Sequence, residues 1–196
     1  FLFPAAGILV EKIFSMDAAW AFTVAALLWV YLGIQKGQVT QDGLTGLNNR
    51  RRLDQYMWEL DERSGERETC CYLLMDVNKF KKVNDTYGHV TGDEVLRLVA
   101  EQLKRTFGNM QAFLARYGGD EFVVIVKGKT QDEMDVIIHQ TQENVNAIAW
   151  GADTPWQLSI SIGCAMRGEQ GKQKSHELLE LADERMYRQK KGIQDR

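Results

Sequence analysis

A basic excess is the first thing this chain lacks: 24 lysines and arginines face 27 aspartates and glutamates, a net charge of −3 over 196 residues. A protein that neutralises a run of phosphates carries the opposite balance, so no nucleic-acid partner is expected. Proline is scarce as well, with 2 in the chain. No low-complexity stretch or internal repeat is evident, which argues against a long disordered linker. Cysteine is limited to Cys70, Cys71 and Cys164, without metal-ligand spacing. The adjacent pair leads into Tyr72-Leu73-Leu74 as small apolar residues of a buried strand would, and a reducing compartment is expected. What remains is 44% hydrophobic and 26% charged, the profile of one globular domain with a short appendage.

That appendage is N-terminal. Residues 1–10 are almost wholly apolar, Glu11-Lys12 and Ser15-Met16-Asp17 interrupt, and residues 18–35 then carry no charge. At about 1.5 Å per residue this second run is near the minimum for crossing a hydrocarbon core, and Trp20, Trp29 and Tyr31 suit its interfaces. The expectation is an N-terminal segment, 1–40, holding a transmembrane helix at 18–35. The alternative is a helix in a dimer contact. No basic start and no small-residue cleavage site mark a signal peptide. The chain starts without methionine in mid-apolar sequence, as the tail of a larger membrane-embedded region would.

Beyond residue 40 the pattern is that of a folded α/β domain, 41–196. Asp42 to Asn49 reads as a turn, handing over to a helix whose inner face is Leu53, Tyr56, Met57 and Leu60. Arg50, Arg51 and Arg52 open that helix either solvated or facing phosphate. Cys70 to Met75 is a continuous apolar run ended by Asp76, a strand covered on both faces with a carboxylate at its tip. Asp76 to Asp85 mixes acids, amides and lysines too densely for a packing segment alone. Asp93 and Glu94 suit the positive end of a helix buried through Val95, Leu96, Val99, Leu103 and Phe107, so Asp93 alone could be a helix cap.

Ala112 to Ala115 and Phe122 to Val126 are two apolar runs joined through Gly118-Gly119, which supply the positive φ of a tight hairpin. Asp120 and Glu121 leave that turn as hard oxygen ligands of the kind magnesium prefers, or as solvated acids of an ordinary turn. A helix is expected from about Gln131 to Ala149, with His139 a surface or core histidine. Leu158 to Gly163 alternates as a strand with one apolar face. A last amphipathic helix runs through Leu178, Ala182 and Tyr187 and ends on Arg188, Lys190 and Lys191, where cations complement the helix dipole. Strands interleaved with helices around a hairpin predict an α/β sandwich with a mixed sheet.

Five ordered blocks carry a resemblance. They are Asp42 to Arg51, Asp76 to Asp93, Arg116 to Phe122, Ser159-Ile160-Ser161-Ile162-Gly163 and Ala182-Asp183-Glu184-Arg185-Met186-Tyr187. Together they resemble a GGDEF domain, the diguanylate cyclase family, from residue 42 to about 192. The resemblance implies an α+β sandwich with a mixed, mainly antiparallel sheet and flanking helices, similar to the palm of polymerases and nucleotidyl cyclases. It also implies a Mg2+-dependent homodimer that condenses two GTP into cyclic di-GMP with loss of pyrophosphate. The resemblance further implies two ions per active half-site, with Mn2+ as an alternative to Mg2+.

By the same resemblance Asp76, the Val77 carbonyl and Asp120 hold metal. Glu121 either ligates a second ion or helps to deprotonate the attacking hydroxyl. Asn84 and Asp93 hydrogen-bond the guanine edge, with His89 on the same segment. Phe80, Lys81 and Lys190 lie around the phosphates. The family's arginine beyond that lysine is replaced by Gln194. The Arg-x-x-Asp pair that binds product in many members is absent, Asn109, Met110, Gln111 and Ala112 standing there. The expected setting is the inner membrane, with the catalytic domain in the cytoplasm and cyclic di-GMP receptors downstream. The alternative is a catalytically silent GTP- or cyclic di-GMP-binding module, as members with degraded hairpins are; here both glycines and all three acids are intact.

Overall fold

The computed structural model describes residues 5–8, 12, 19–36, 40–63, 69–149, 157–168 and 174–194. The chain divides into two compact units, Phe1–Thr40 and Gln41–Arg196. In the first, helix α1 spans Ala19–Lys36. The transmembrane helix expected at 18–35 falls here, but among the described residues no helix is long and apolar enough to cross a membrane.

The second unit runs α2 (Arg50–Arg63), β1 (Cys70–Val77), α3 (Phe80–Tyr87), α4 (His89–Phe107), β2 (Ala112–Gly118), β3 (Glu121–Lys127), α5 (Gln131–Asn146), β4 (Ile160–Met166) and α6 (Ser175–Gln194). The four strands lie in the order β2-β3-β1-β4, and each neighbouring pair is antiparallel. A parallel contact comes from the isolated bridge between Asn48 and Ala115.

Strand periodicity sorts the side chains into two cores. Leu73, Met75 and Val77 of β1 with Phe122, Val124 and Val126 of β3 pack against Val95, Val99, Leu103 and Phe107 of α4. The alternate set, Tyr72, Leu74, Val123, Ile125 and Ala165, packs against Leu53, Met57 and Leu60 of α2 and Leu178, Ala182 and Met186 of α6. Two buried faces explain the unbroken apolar run of β1.

β4 departs from expectation. Its alternation predicted one solvated face, yet all seven residues are buried. The second face is the row Ser161, Gly163, Ala165, and α6 lies directly on it: a Cβ built on Gly163 would collide with the Ala182 carbonyl and the Met186 amide. Small residues there mark close approach of a helix rather than exposure to water. The outer edge of β4 is covered in the same way, Gln189 Oε1 accepting from Ile162 N at 2.6 Å and Arg185 Nη1 donating to Cys164 O at 2.6 Å.

Candidate active site

Asp76 is the second-last residue of β1 and stands opposite Glu121, the first residue of β3, in the antiparallel ladder. Both belong to the strand face that α6 covers. Asp120 closes the hairpin beside them, and its carbonyl accepts from Val77 N at 3.3 Å. The sequence brings these acids together because β1 and β3 are neighbours in register, so a strand tip and a turn 44 positions later share one end of the sheet.

The hairpin is tighter than a double-glycine turn. Only Gly119 takes positive φ, at 49°, while Gly118 pairs with Glu121 and a bulge falls between Arg116 and Gly118. The expectation of positive φ at both glycines is corrected accordingly. A bulge shortens the demand on the turn to one left-handed residue and re-aims the side chains just beyond it. Neither glycine has any atom within 4 Å of a built Cβ, so the backbone there is open to a ligand.

Lys190 reaches the same end of the sheet from α6. Assigned by resemblance to phosphate, it places its ammonium on Asp76, Nζ to Oδ1 at 2.6 Å, with the Asp76 side chain 9% exposed. Burial pushes the Asp76 carboxyl up, Lys190 opposes this, and the charge of Asp120 adds to it. Glu121 is also pushed up, by burial first and then by repulsion from Asp76, Asp120 and Asp183, with Lys190 offsetting part. Asp183, on α6, has no role in the sequence reading; its place on the helix turn above Glu121 gave no signal beyond the amphipathic pattern.

No group of three His, Cys, Asp or Glu side chains among the described residues is already gathered as a metal cage. The donor chemistry nevertheless fits magnesium: the ligands are hard carboxylate oxygens, and their mutual repulsion is the charge deficit a divalent cation relieves. Asp76, Glu121 and Asp120 would hold it.

The remaining predicted residues lie on the helical pair after β1. Lys79 turns the chain out of the strand in a left-handed conformation, φ 59°, and Phe80 and Lys81 open α3. Asn84 is partly buried on that helix, while His89 and Asp93 are exposed on α4. α4 begins at His89 with Gly88 before it, so Asp93 sits inside the helix and is not its cap. His139 is a surface residue facing Glu143 at 3.5 Å.

Sequence reading missed the brace of the hairpin. Arg116 donates to Gly119 O through Nε at 3.0 Å and Nη2 at 2.7 Å, and through Nη1 to Asp42 Oδ1 at 3.2 Å. Asp42 also accepts from the Thr45 amide and hydroxyl at 2.9 and 2.7 Å. Of the three arginines opening α2, Arg50 lies 4.4 Å over the Tyr117 ring and Arg52 pairs with Glu59 at 3.1 Å. Neither is simply solvated.

An antiparallel α+β sandwich with three carboxylates and a lysine at one sheet end defines the class: an α+β domain with an acidic site whose oxygen donors suit a divalent metal. The chain belongs to the GGDEF family, matching "Diguanylate cyclase, GGDEF domain" over residues 39–196. It is 28% identical over 189 residues to diguanylate cyclase DgcP of Pseudomonas aeruginosa, covering 96% of this chain and 27% of that protein. Against diguanylate cyclase DosC of Escherichia coli it is 34% identical over 161 residues, covering 79% and 34%. The chain therefore spans about a third or less of these relatives. Among solved structures it is similar to the GGDEF domain of DgcB from Caulobacter crescentus in complex with c-di-GMP, with TM-score 0.69, 31% identity and coverage of 79% of this chain and 92% of that one.

Proposed function

We propose that residues 41–196 form a diguanylate cyclase domain that joins two GTP molecules into cyclic di-GMP with release of two pyrophosphates. The observation that carries this is the ladder pairing of Asp76 with Glu121 beside Asp120, with the Lys190 ammonium on Asp76. Relatives named diguanylate cyclases, and a similar structure described as a complex with c-di-GMP, support the same reading.

Asp76, Asp120 and Glu121 would hold magnesium, which when bound would supply Lewis acidity toward the 3′-hydroxyl and the phosphoryl charge. The chain's own residues bind and orient. Asp93 accepts from N1–H and the exocyclic amine of guanine, Asn84 completes the edge, and His89 borders it. An acceptor built for those donors leaves adenine's edge unpaired, which discriminates by orders of magnitude. Lys81 and Lys190 meet the triphosphate, and Phe80 packs at the entry to α3. One domain holds one GTP, so the active form is a homodimer with the two sites facing. With Asn109 and Ala112 in place of the product-binding pair, added cyclic di-GMP inhibits little.

The test is incubation with GTP and Mg2+, chromatography of the product, and Glu121→Gln as control. Cyclic di-GMP from the wild type and none from the variant is expected. No product from a wild type forced to dimerise overturns the reading. In mixed GTP and ATP the symmetric product predominates; mainly mixed dinucleotide refutes Asp93 as the guanine reader.

A further inference from the structure

Gly92 stands in the first turns of α4, buried, and donates an ordinary helical bond from its amide to Gly88 O at 3.2 Å. Its φ is not among the positive values in the structure, so no left-handed conformation calls for glycine. Inside a helix glycine is a poor choice, since alanine costs less backbone entropy and forms helix better. Something outside the helix backbone must account for it.

The space where a Cβ would lie is filled by Asn84. A Cβ built on Gly92 collides with Asn84 Oδ1, comes within 3.0 Å of Asn84 Cγ, and lies 3.3 Å from Phe80 Cζ. The carboxamide of α3 is thus seated against the bare backbone of α4. It takes no hydrogen-bond partner among the described residues, so the seat is steric and its polar atoms stay available to a ligand. Asn84 is part-buried, whereas Asp93, the residue after Gly92, is exposed on the same helix. An acceptor and a carboxamide are in this way brought to one notch between two helices.

We propose that Gly92 is a specificity-determining positioning residue: its missing side chain fixes the Asn84 carboxamide in the orientation that reads the purine edge alongside Asp93. The inference rests on the guanine-site reading above. The obstructing atoms belong to the end of a side chain, which can swing away at little expense to the fold. A methyl at position 92 therefore displaces Asn84 without disrupting packing, and the helix itself gains. Structural and recognition roles predict opposite signs for stability and binding.

The test compares wild type, Gly92→Ala, Asn84→Ala and the double variant, each as the full chain. Two quantities are measured: the unfolding midpoint without nucleotide, and the affinity for non-hydrolysable GTP and ATP analogues by titration calorimetry. Gly92→Ala is expected to unfold at or above the wild-type temperature and to bind the GTP analogue about 5- to 10-fold more weakly, the scale of one lost hydrogen bond. Its preference over the ATP analogue narrows by the same factor. In the Asn84→Ala background the glycine substitution adds less than about 2-fold, because contacting residues are not additive. Wild-type affinity in Gly92→Ala, a lowered unfolding midpoint, or full additivity with Asn84→Ala overturns the inference. A wild type that binds neither analogue overturns the guanine-site reading itself.

Discussion

Arg116 joins Asp42 to the β2–β3 hairpin, its Nη1 3.2 Å from Asp42 Oδ1 and its Nη2 2.7 Å from Gly119 O. The side chains of this pair are only 16% and 22% exposed, so the pair is shielded from solvent. One guanidinium thus ties the turn at the start of the domain to the backbone that carries Asp120 and Glu121. Truncating it leaves Asp42 underpaired and frees the hairpin. Arg116→Ala should lose about 2 kcal/mol of stability in urea and most of its product formation. Arg116→Lys should recover charge but not the fork, and so only part of either. An unchanged denaturation midpoint in Arg116→Ala would sink the brace.

Asp42 gives that brace a pH signature. Burial opposes its charge, but the Thr45 hydroxyl, the Thr45 amide and Arg116 outweigh it and hold the carboxyl below its ordinary value of 3.8. A carboxyl depressed in the folded state contributes stability that is fully present above the unfolded value. That contribution is lost as pH falls through the lower folded value. Asp42→Asn should therefore be less stable than wild type near neutrality, with the difference closing below about pH 4. Urea denaturation at several pH values checks this; a gap that stays constant into acid contradicts it.

Glu121 carries the opposite sign. Burial, then Asp76, Asp120 and Asp183, push its carboxyl up, so the folded state holds the proton more tightly than the unfolded chain. Its charge destabilises the fold above that raised value, and the penalty lifts as pH falls through it. Glu121→Gln should keep the wild-type unfolding midpoint at neutral pH without divalent cation, or raise it by about 2 °C, while losing product formation. Differential scanning calorimetry and the cyclase assay read the two effects separately. A midpoint several degrees lower would mean that Glu121 holds the structure rather than the chemistry.

Much of this was legible in the sequence where patterns are local. Leu53, Met57 and Leu60 recur at helical spacing and are the buried residues of α2. The apolar run ending at Asp76 is a doubly covered strand. What sequence hides is contact between distant elements. Lys190 reaches Asp76 across 114 positions, and nothing in the spacing of either residue distinguishes an ammonium bound to carboxylate from one awaiting phosphate. The hairpin glycines were legible as a turn, but the bulge that leaves only Gly119 left-handed depends on strand register. Ser161 and Gly163 read as the polar side of an alternating strand because small residues fit both water and a close-packed helix.

Gly163 allows the sharpest test of how α6 delivers Lys190. The helix starts at Ser175, whose amide bonds Asp61 and whose hydroxyl bonds Tyr72 at 2.8 Å, and passes over β4 at Gly163 with backbone against backbone. From Ala182 to Lys190 is roughly 12 Å of helix at 1.5 Å per residue, and a helical side chain leans back toward the N-terminus. That geometry sets the ammonium over Asp76, two residues beyond Leu74, the partner of Gly163 on β1. A methyl at Gly163 meets the Ala182 carbonyl and the Met186 amide, which are backbone and cannot swing aside as a side chain would. Gly163→Ala should therefore cost about 3 kcal/mol or more, lift α6, and part Lys190 from Asp76. Gly43→Ala is the control, since nothing lies within 4 Å of its built Cβ and its φ is not positive. Calorimetry should show the first variant melting well below the second. Equal midpoints would mean that α6 rides above β4 and that Lys190 reaches the carboxylates by side-chain length alone.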